Sequence, residues 1–262
     1  MILFSSIDPL FSLSGFAVGA LIGMTGVGGG SLMTPLLILA FGIHPATAVG
    51  TDLLYASATK TVGTGVHGIS RTVAWRVVGR LALGSVPMTA ITLLVLSRIG
   101  TQSTAANTLI TSVLAVALFT TAVVLVLRKR IIARYAPVLA TMRPRRRRML
   151  TVGMGAVLGV LVSISSVGAG AIGVTFLILL YPNLPMARVV GSDIAHAVPL
   201  TLIAGVGHWM LGLTDLGLLT SLLFGSIPGI ILGSYAAPRI PDAALRYLLA
   251  GTLLFVGGRL VF

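Results

Sequence analysis

One stretch of text occurs twice in this chain, about 140 residues apart, and that constrains its fold more than any other feature. GFAVGALIGMTGVGGG from Gly15 is answered by GAVLGVLVSISSVGAG from Gly155, and PATAVGTDLLYA from Pro45 by PMARVVGSDIAHA from Pro185. Gly15, Gly19, Val27, Gly28, Gly30, Leu37, Ile38, Leu39 and Pro45 recur 140 positions later. After one inserted residue, Gly50, Asp52, Ala56, His67, Gly84, Ser85, Pro87, Arg98 and Ile99 recur 141 positions later. A shared apolar bias can align leucines, but it does not bring an Asp, a His, a Pro and an Arg into register. The chain reads as two homologous halves, 1–127 and 149–262, joined by a basic segment at 128–148.

Both halves belong in a bilayer. With 56% apolar and 9% charged residues and a mean hydropathy of +1.07, the 262-residue chain has too little polar surface to coat a soluble globule. The predicted class is an all-α polytopic membrane protein of about eight to ten membrane helices, some of them short, broken or re-entrant. Net charge is +13, yet nine of the 18 cations fall within 128–148. A basic segment between apolar helices is expected as a cytoplasmic anchor, with anionic lipid as a secondary contact and no nucleic-acid partner. The absence of cysteine excludes disulfides, thiol catalysis and thiolate metal sites. No basic region precedes the first apolar stretch, so no cleaved leader is expected.

In half one, helices are predicted near 9–24, 31–42, 46–69, 77–97 and 104–127; in half two, near 150–163, 171–181, 187–211, 216–235 and 243–261. Glycine-rich breaks interrupt the first pair of each half, at 25–30 and 165–170. An odd number of crossings per half would invert the halves relative to one another, and an even number would leave them parallel. Loop charge favours inversion: Arg71, Arg76 and Arg80 follow the third helix of half one, whereas the matching turn of half two carries Asp215 and no Lys or Arg.

Irregular backbone within a membrane must be buried in protein or line a watery cavity. The short helices beginning near Ser31 and Ala171 would aim free N–H groups and a partial positive charge at Gly26, Gly28, Gly29 and Gly30 and at Ser165, Ser166, Gly168 and Gly170. Such an end suits a small anion. Gly15 and Gly19, by contrast, read as close helix packing.

Asp52 and Asp193, two of the five acids, hold matched places after Thr51 and Ser192. An intramembrane carboxylate suggests function, although an acid in a first turn can equally hold a helix entrance in shape, and proton coupling is a third reading. Lys60 lies eight residues beyond Asp52, and its counterpart is Thr201. At 100° per residue Asp52, Lys60 and His67 span an arc of about 80°, one face of a helix. Lys60 is expected in the pathway, attracting an anion or countering Asp52. His67 and His208 are repeat-matched and stand either as a proton relay or as structural donors. With no Glu and no paired-His motif, neither a metal site nor a cofactor is expected.

These residues resemble the sulfite exporter TauE/SafE family, also called the 4-toluene sulfonate uptake permease family. The resemblance rests on G-x-x-G-x-G-G-G at 23–30, on Pro45, Ala48, Thr51, Asp52 and Leu53, on Val73, Ala74, Trp75 and Arg76, and on GSIPGIILG at 225–233. It covers nearly the whole chain. It implies a plasma-membrane carrier of seven or eight spans that moves small sulfur-containing anions such as sulfite or organosulfonates, and no enzyme. Half two departs from the glycine pattern, with Ser163, Ser165, Ser166 and Ala169 where half one has Gly23, Thr25, Gly26 and Gly29. The rival readings are a cation or metal carrier and a diaspartyl intramembrane protease, the latter needing its two carboxyls in contact.

Overall fold

In the computed structural model the described residues are 7–25, 30–69, 71–100, 103–236, 250, 251, 253, 254 and 258. They form α1 (Pro9–Thr25), α2 (Gly30–Leu39), α3 (Pro45–Ile69), α4 (Trp75–Ile99), α5 (Thr104–Ala140), α6 (Pro144–Ser165), α7 (Ala171–Leu180), α8 (Met186–Met210) and α9 (Leu216–Ala236). No strand occurs among the described residues. The helix expected at 243–261 lies mostly outside them.

Local chemistry sets several boundaries. Ser103 caps α5 by accepting the Ala106 N–H at 3.1 Å. Pro144 opens α6, where its missing N–H costs no hydrogen bond. Ser166 ends α6 with φ 58°, and Gly168 and Gly170 continue the reversal at 122° and 124°, backbone that glycine tolerates and other residues resist. The basic segment, expected as a linker over 128–148, is mostly helical. Its N-terminal part extends α5 and its last residues form the first turn of α6, so only 141–143 interrupt the helix.

By length and composition, α4, α5, α6, α8 and the 216–233 part of α9 can each cross a membrane. The 25 residues of α3 include Asp52 and Lys60, while α1 and α7 are shorter apolar helices. Exposed side chains such as Leu94, Val116, Phe119, Phe224 and Leu232 give the outer surface the apolar character that acyl chains require.

The helices pack through glycine. Gly15 and Gly19 of α1 lie against the backbone of Leu222 and Ser226 in α9, and Gly225 answers against Ser12. Gly155 and Gly159 of α6 lie against Leu81 and Ser85 in α4, and Gly84 answers against Val152. In both pairs residue numbers rise together, so the helices run parallel. Backbones this close leave no room for a β-carbon, the small-residue packing expected for Gly15 and Gly19. At the centre α3 crosses α8 in the opposite sense: Gly50 meets His208 and Leu213, Leu54 meets Gly205, and Gly63 meets Ile194. Ala46, Val49 and Leu53 of α3 pack with Ala197, Leu200 and Ala204 of α8 at this crossing, while Tyr55, Met33, Leu37, Leu114 and Leu118 belong to a second core cluster.

Candidate functional site

The α3–α8 crossing buries the charged residues of the apolar interior. Asp52, Asp193 and Lys60 are all buried, the lysine at 7% exposure. Stripping an ammonium and two carboxylates of water costs several kcal/mol per ion unless neighbours compensate, so such a group calls for an account.

Asp52 accepts the Thr34 hydroxyl of α2 at 2.5 Å through Oδ2. The Ser166 hydroxyl, at the end of α6, lies beside the same carboxylate without closing a hydrogen bond of ordinary geometry, and Asp52 Oδ1 has no partner. A carboxylate of the protein itself therefore stands near the first turns of α2, which is favourable beside the positive end of a helix dipole. Thr34→Val should leave Asp52 without its donor and destabilise the protein by about 1–3 kcal/mol. A melting curve in detergent checks this, and the isosteric valine keeps the packing nearly constant.

Asp193 sits differently. Its repeat register places Val174 where half one has Thr34, so no hydroxyl meets it there. The carboxylate rests against Gly173 in the first turn of α7, and its Oδ1 is unpartnered. Lys60 lies within the electrostatic reach of Asp193, across the helix crossing, and of Asp52, on its own helix. The contacts Leu54–Gly205 and Gly63–Ile194 put the two acids at opposite ends of the crossing, roughly 15 Å apart along α3 at 1.5 Å per residue. They do not form the shared-proton pair that the diaspartyl protease reading needs.

Two further buried polar residues near the crossing were missed as site candidates. His196 Nε2 is 2.9 Å from the Ser85 hydroxyl of α4, and its Nδ1 is unpartnered. Tyr55, buried on α3, faces Ser226 of α9. His196 stands 141 residues beyond Tyr55, and Ser226 stands 141 beyond Ser85. The signal was available: the two serines are matched in the sequence, and the residues they face occupy matched positions with different chemistry.

Other predicted residues have local partners. Thr51 Oγ1 accepts the Asp215 N–H at 3.1 Å, and Ser192 Oγ accepts the Ala74 N–H at 2.9 Å, each tying a helix to a turn of the opposite half. Thr51→Val and Ser192→Ala should each cost about 1 kcal/mol, since each leaves a turn amide without its acceptor. Hydrogen exchange at Asp215 and Ala74 reads that loss directly. Ser165 Oγ donates to Leu161 O at 2.7 Å and accepts the Val167 N–H at 3.3 Å, bracing the break. His208 Nδ1 is 3.0 Å from Ala204 O, while Nε2 is unpartnered. Gly30 and Ser31 open α2, and Ser31 is buried. Gly26, Gly28, Gly29 and the side chain of His67 lie outside the described residues. Among the described residues no three His, Asp or Glu side chains converge as a metal site would require.

A multi-pass helical protein that buries an ammonium and two carboxylates between its helices falls in the class of membrane transport proteins. Its sequence relatives agree. The chain belongs to the TauE/SafE family, for the profile described as "Sulfite exporter TauE/SafE" matches residues 11–260. It is 36% identical over 250 residues to the "Probable membrane transporter protein YjnA" of Bacillus subtilis strain 168, covering 95% of this chain and 98% of that one. It is 27% identical over 252 residues to the "Probable membrane transporter protein YdhB" of the same organism, covering 94% and 97% respectively. No solved structure matches it.

Proposed function

We propose that this membrane transporter is a secondary carrier, an exporter, of small sulfur-containing anions such as sulfite or an organosulfonate, working by alternating access in the plasma membrane. The observation that carries the reading is Lys60: a buried ammonium with carboxylates of both halves as its charge partners is a place where a mobile anion can compete. The substrate sits between the 26–30 and 165–170 breaks, attracted by Lys60 and by the positive end of α7. Ser166, buried with an unpartnered hydroxyl, supplies a donor suited to an oxyanion. The family's description names sulfite export, in line with this chemistry.

The halves are inverted repeats in this reading. Support comes from the reciprocal contacts Gly15–Leu222 with Gly155–Leu81, Gly19–Ser226 with Gly159–Ser85, and Gly225–Ser12 with Gly84–Val152. Each contact maps onto its mate by the same 140- and 141-residue offsets that relate the sequences. The antiparallel crossing of the corresponding helices α3 and α8 fits a pseudo-two-fold axis in the membrane plane, the axis that inverts topology. Alternating access then exchanges the roles of two matched helix groups about α3 and α8.

Purified protein in proteoliposomes tests the reading with sulfite, sulfoacetate, sulfate, acetate and chloride, with and without a pH gradient. Saturable flux of a sulfur oxyanion is expected. Folded protein that moves none of these anions but moves a metal or alkali cation would replace this reading with a cation carrier.

A further inference from the structure

We propose that Asp193 is the proton-coupling residue of this carrier: its carboxylate and the transported anion take turns at the Lys60 ammonium, and a proton occupies Asp193 while the anion is bound. The inference rests on the anion-carrier reading above. It distinguishes two acids that the sequence presents as equivalents.

The two sites differ in what holds the carboxylate. Asp52 accepts the Thr34 hydroxyl of α2 through Oδ2, a donor that steadies the ionised carboxylate, although its Oδ1 is unpartnered as well. Asp193 has Val174 at the corresponding position and lies against Gly173, which offers no side chain. Its Oδ1 is buried and unpartnered, open to a proton. Lys60 is on the facing helix at the depth fixed by the Gly63–Ile194 contact, and half two has no second lysine to match it, only Thr201, whose hydroxyl is bonded to Ala197 O at 2.8 Å. One cation thus answers to two halves.

Among the described residues the surroundings supply few other titratable groups. From α3, Lys60 faces Asp193, with Asp52 and Tyr55 further along the helix. From α8 itself comes His196, whose Nε2 is engaged by Ser85 of α4. From α7 comes Gly173, and from α6 the apolar Leu158 beside it.

Charge conservation gives the stoichiometry. In the empty state Asp193 is a carboxylate beside the Lys60 ammonium. In the loaded state a monoanion replaces it beside the ammonium, and one proton from water binds Asp193 Oδ1; no covalent bond to the substrate forms. Asp52 contributes equally to both states and cancels. A buried site resists a change in net charge because each uncompensated ion is costly to desolvate, so one proton accompanies each monoanion and transport is electroneutral; where the cytoplasm is the more alkaline side, export then runs only while the internal anion concentration exceeds what the pH gradient sustains.

Methanesulfonate is the probe, since as a strong-acid anion it brings no proton of its own. In sodium-free proteoliposomes with an alkaline lumen, the wild-type protein should accumulate it about tenfold per pH unit, because one unit corresponds to about 1.4 kcal/mol per proton. An imposed membrane potential should leave the ratio unchanged. Asp193→Asn should lose the pH-driven accumulation and become sensitive to potential. Wild-type accumulation that follows the potential instead of pH, or tenfold accumulation retained by D193N, overturns the proposal. Should D193N fail to fold or to transport, a luminal pH dye in the wild type decides: one proton per sulfonate is expected, and none overturns the coupling. Folded wild-type protein that moves neither methanesulfonate nor sulfoacetate refutes the anion-carrier reading itself, a separate result from flux without protons.

Discussion

Replacing Lys60 with alanine is expected to reduce sulfur-oxyanion flux at low substrate by about 100-fold or more, while Lys60→Arg keeps part of it. Lys60 is buried and answers to Asp193 and Asp52, so its removal leaves two buried acids facing one another's field with no cation between the halves. Breaking one side of a buried charge arrangement costs about 3–5 kcal/mol, and 3 kcal/mol is already about two orders of magnitude in binding. Arginine preserves the charge but spreads it over a larger planar group, so it keeps attraction and loses fit. The measurement is initial-rate uptake of sulfite and sulfoacetate by each variant, with circular dichroism and gel filtration as the folding control. Unchanged flux for every accepted anion in Lys60→Ala would remove Lys60 from the pathway and with it the proposed site.

Gly225→Ala is expected to produce the largest stability loss of any conservative change in the helix interior. An added β-carbon there would fall on the Ser12 carbonyl oxygen, 2.6 Å from its carbon and 2.8 Å from the Phe16 nitrogen. These are backbone atoms of α1, which cannot rotate aside, so α1 and α9 must separate along their length. A cost of about 3 kcal/mol, at the upper end of overpacking, corresponds to a melting temperature lower by roughly 10 °C for a chain of this size. Gly84→Ala should behave likewise, since its β-carbon would strike the Val152 carbonyl on α6. Gly153→Ala is the control: no atom lies within 4 Å of its β-carbon, and the melting point should hold or rise slightly, since alanine favours the helix interior over glycine. Equal melting curves for all three variants would mean that the helices do not meet through these glycines.

Much of the fold was legible because membrane burial writes itself into composition and spacing. A lipid-facing surface must be apolar, glycine must appear wherever backbones touch, and the text matched at offsets of 140 and 141 residues sets polar residues in register. Gly15, Gly19, Asp52 and Asp193 could therefore be picked out as paired features. The roles of Thr51 and Ser192 could not, because their hydroxyls accept amides of Asp215 and Ala74, more than a hundred residues away. Thr34 was passed over for a similar reason: nothing in its own helix marks it, and its importance comes from the Asp52 carboxylate that the α2–α3 packing brings to it.

The helical membrane class, the breaks at glycine and serine, and the few charged residues in the apolar interior were readable from the residues alone, since these follow from the cost of placing polar groups in hydrocarbon and from local backbone sterics. Tertiary structure alone decided which groups meet. Asp52 and Lys60 share one helix face, as 100° per residue requires, yet Asp193 on α8 also acts on Lys60 from across the crossing. Likewise His196, which matches no histidine of half one, falls against Ser85 as Tyr55 falls against Ser226. Helix periodicity fixes the direction in which a side chain leaves its own axis. What stands opposite depends on which axes cross and at what depth, and close glycine contacts between distant helices set both.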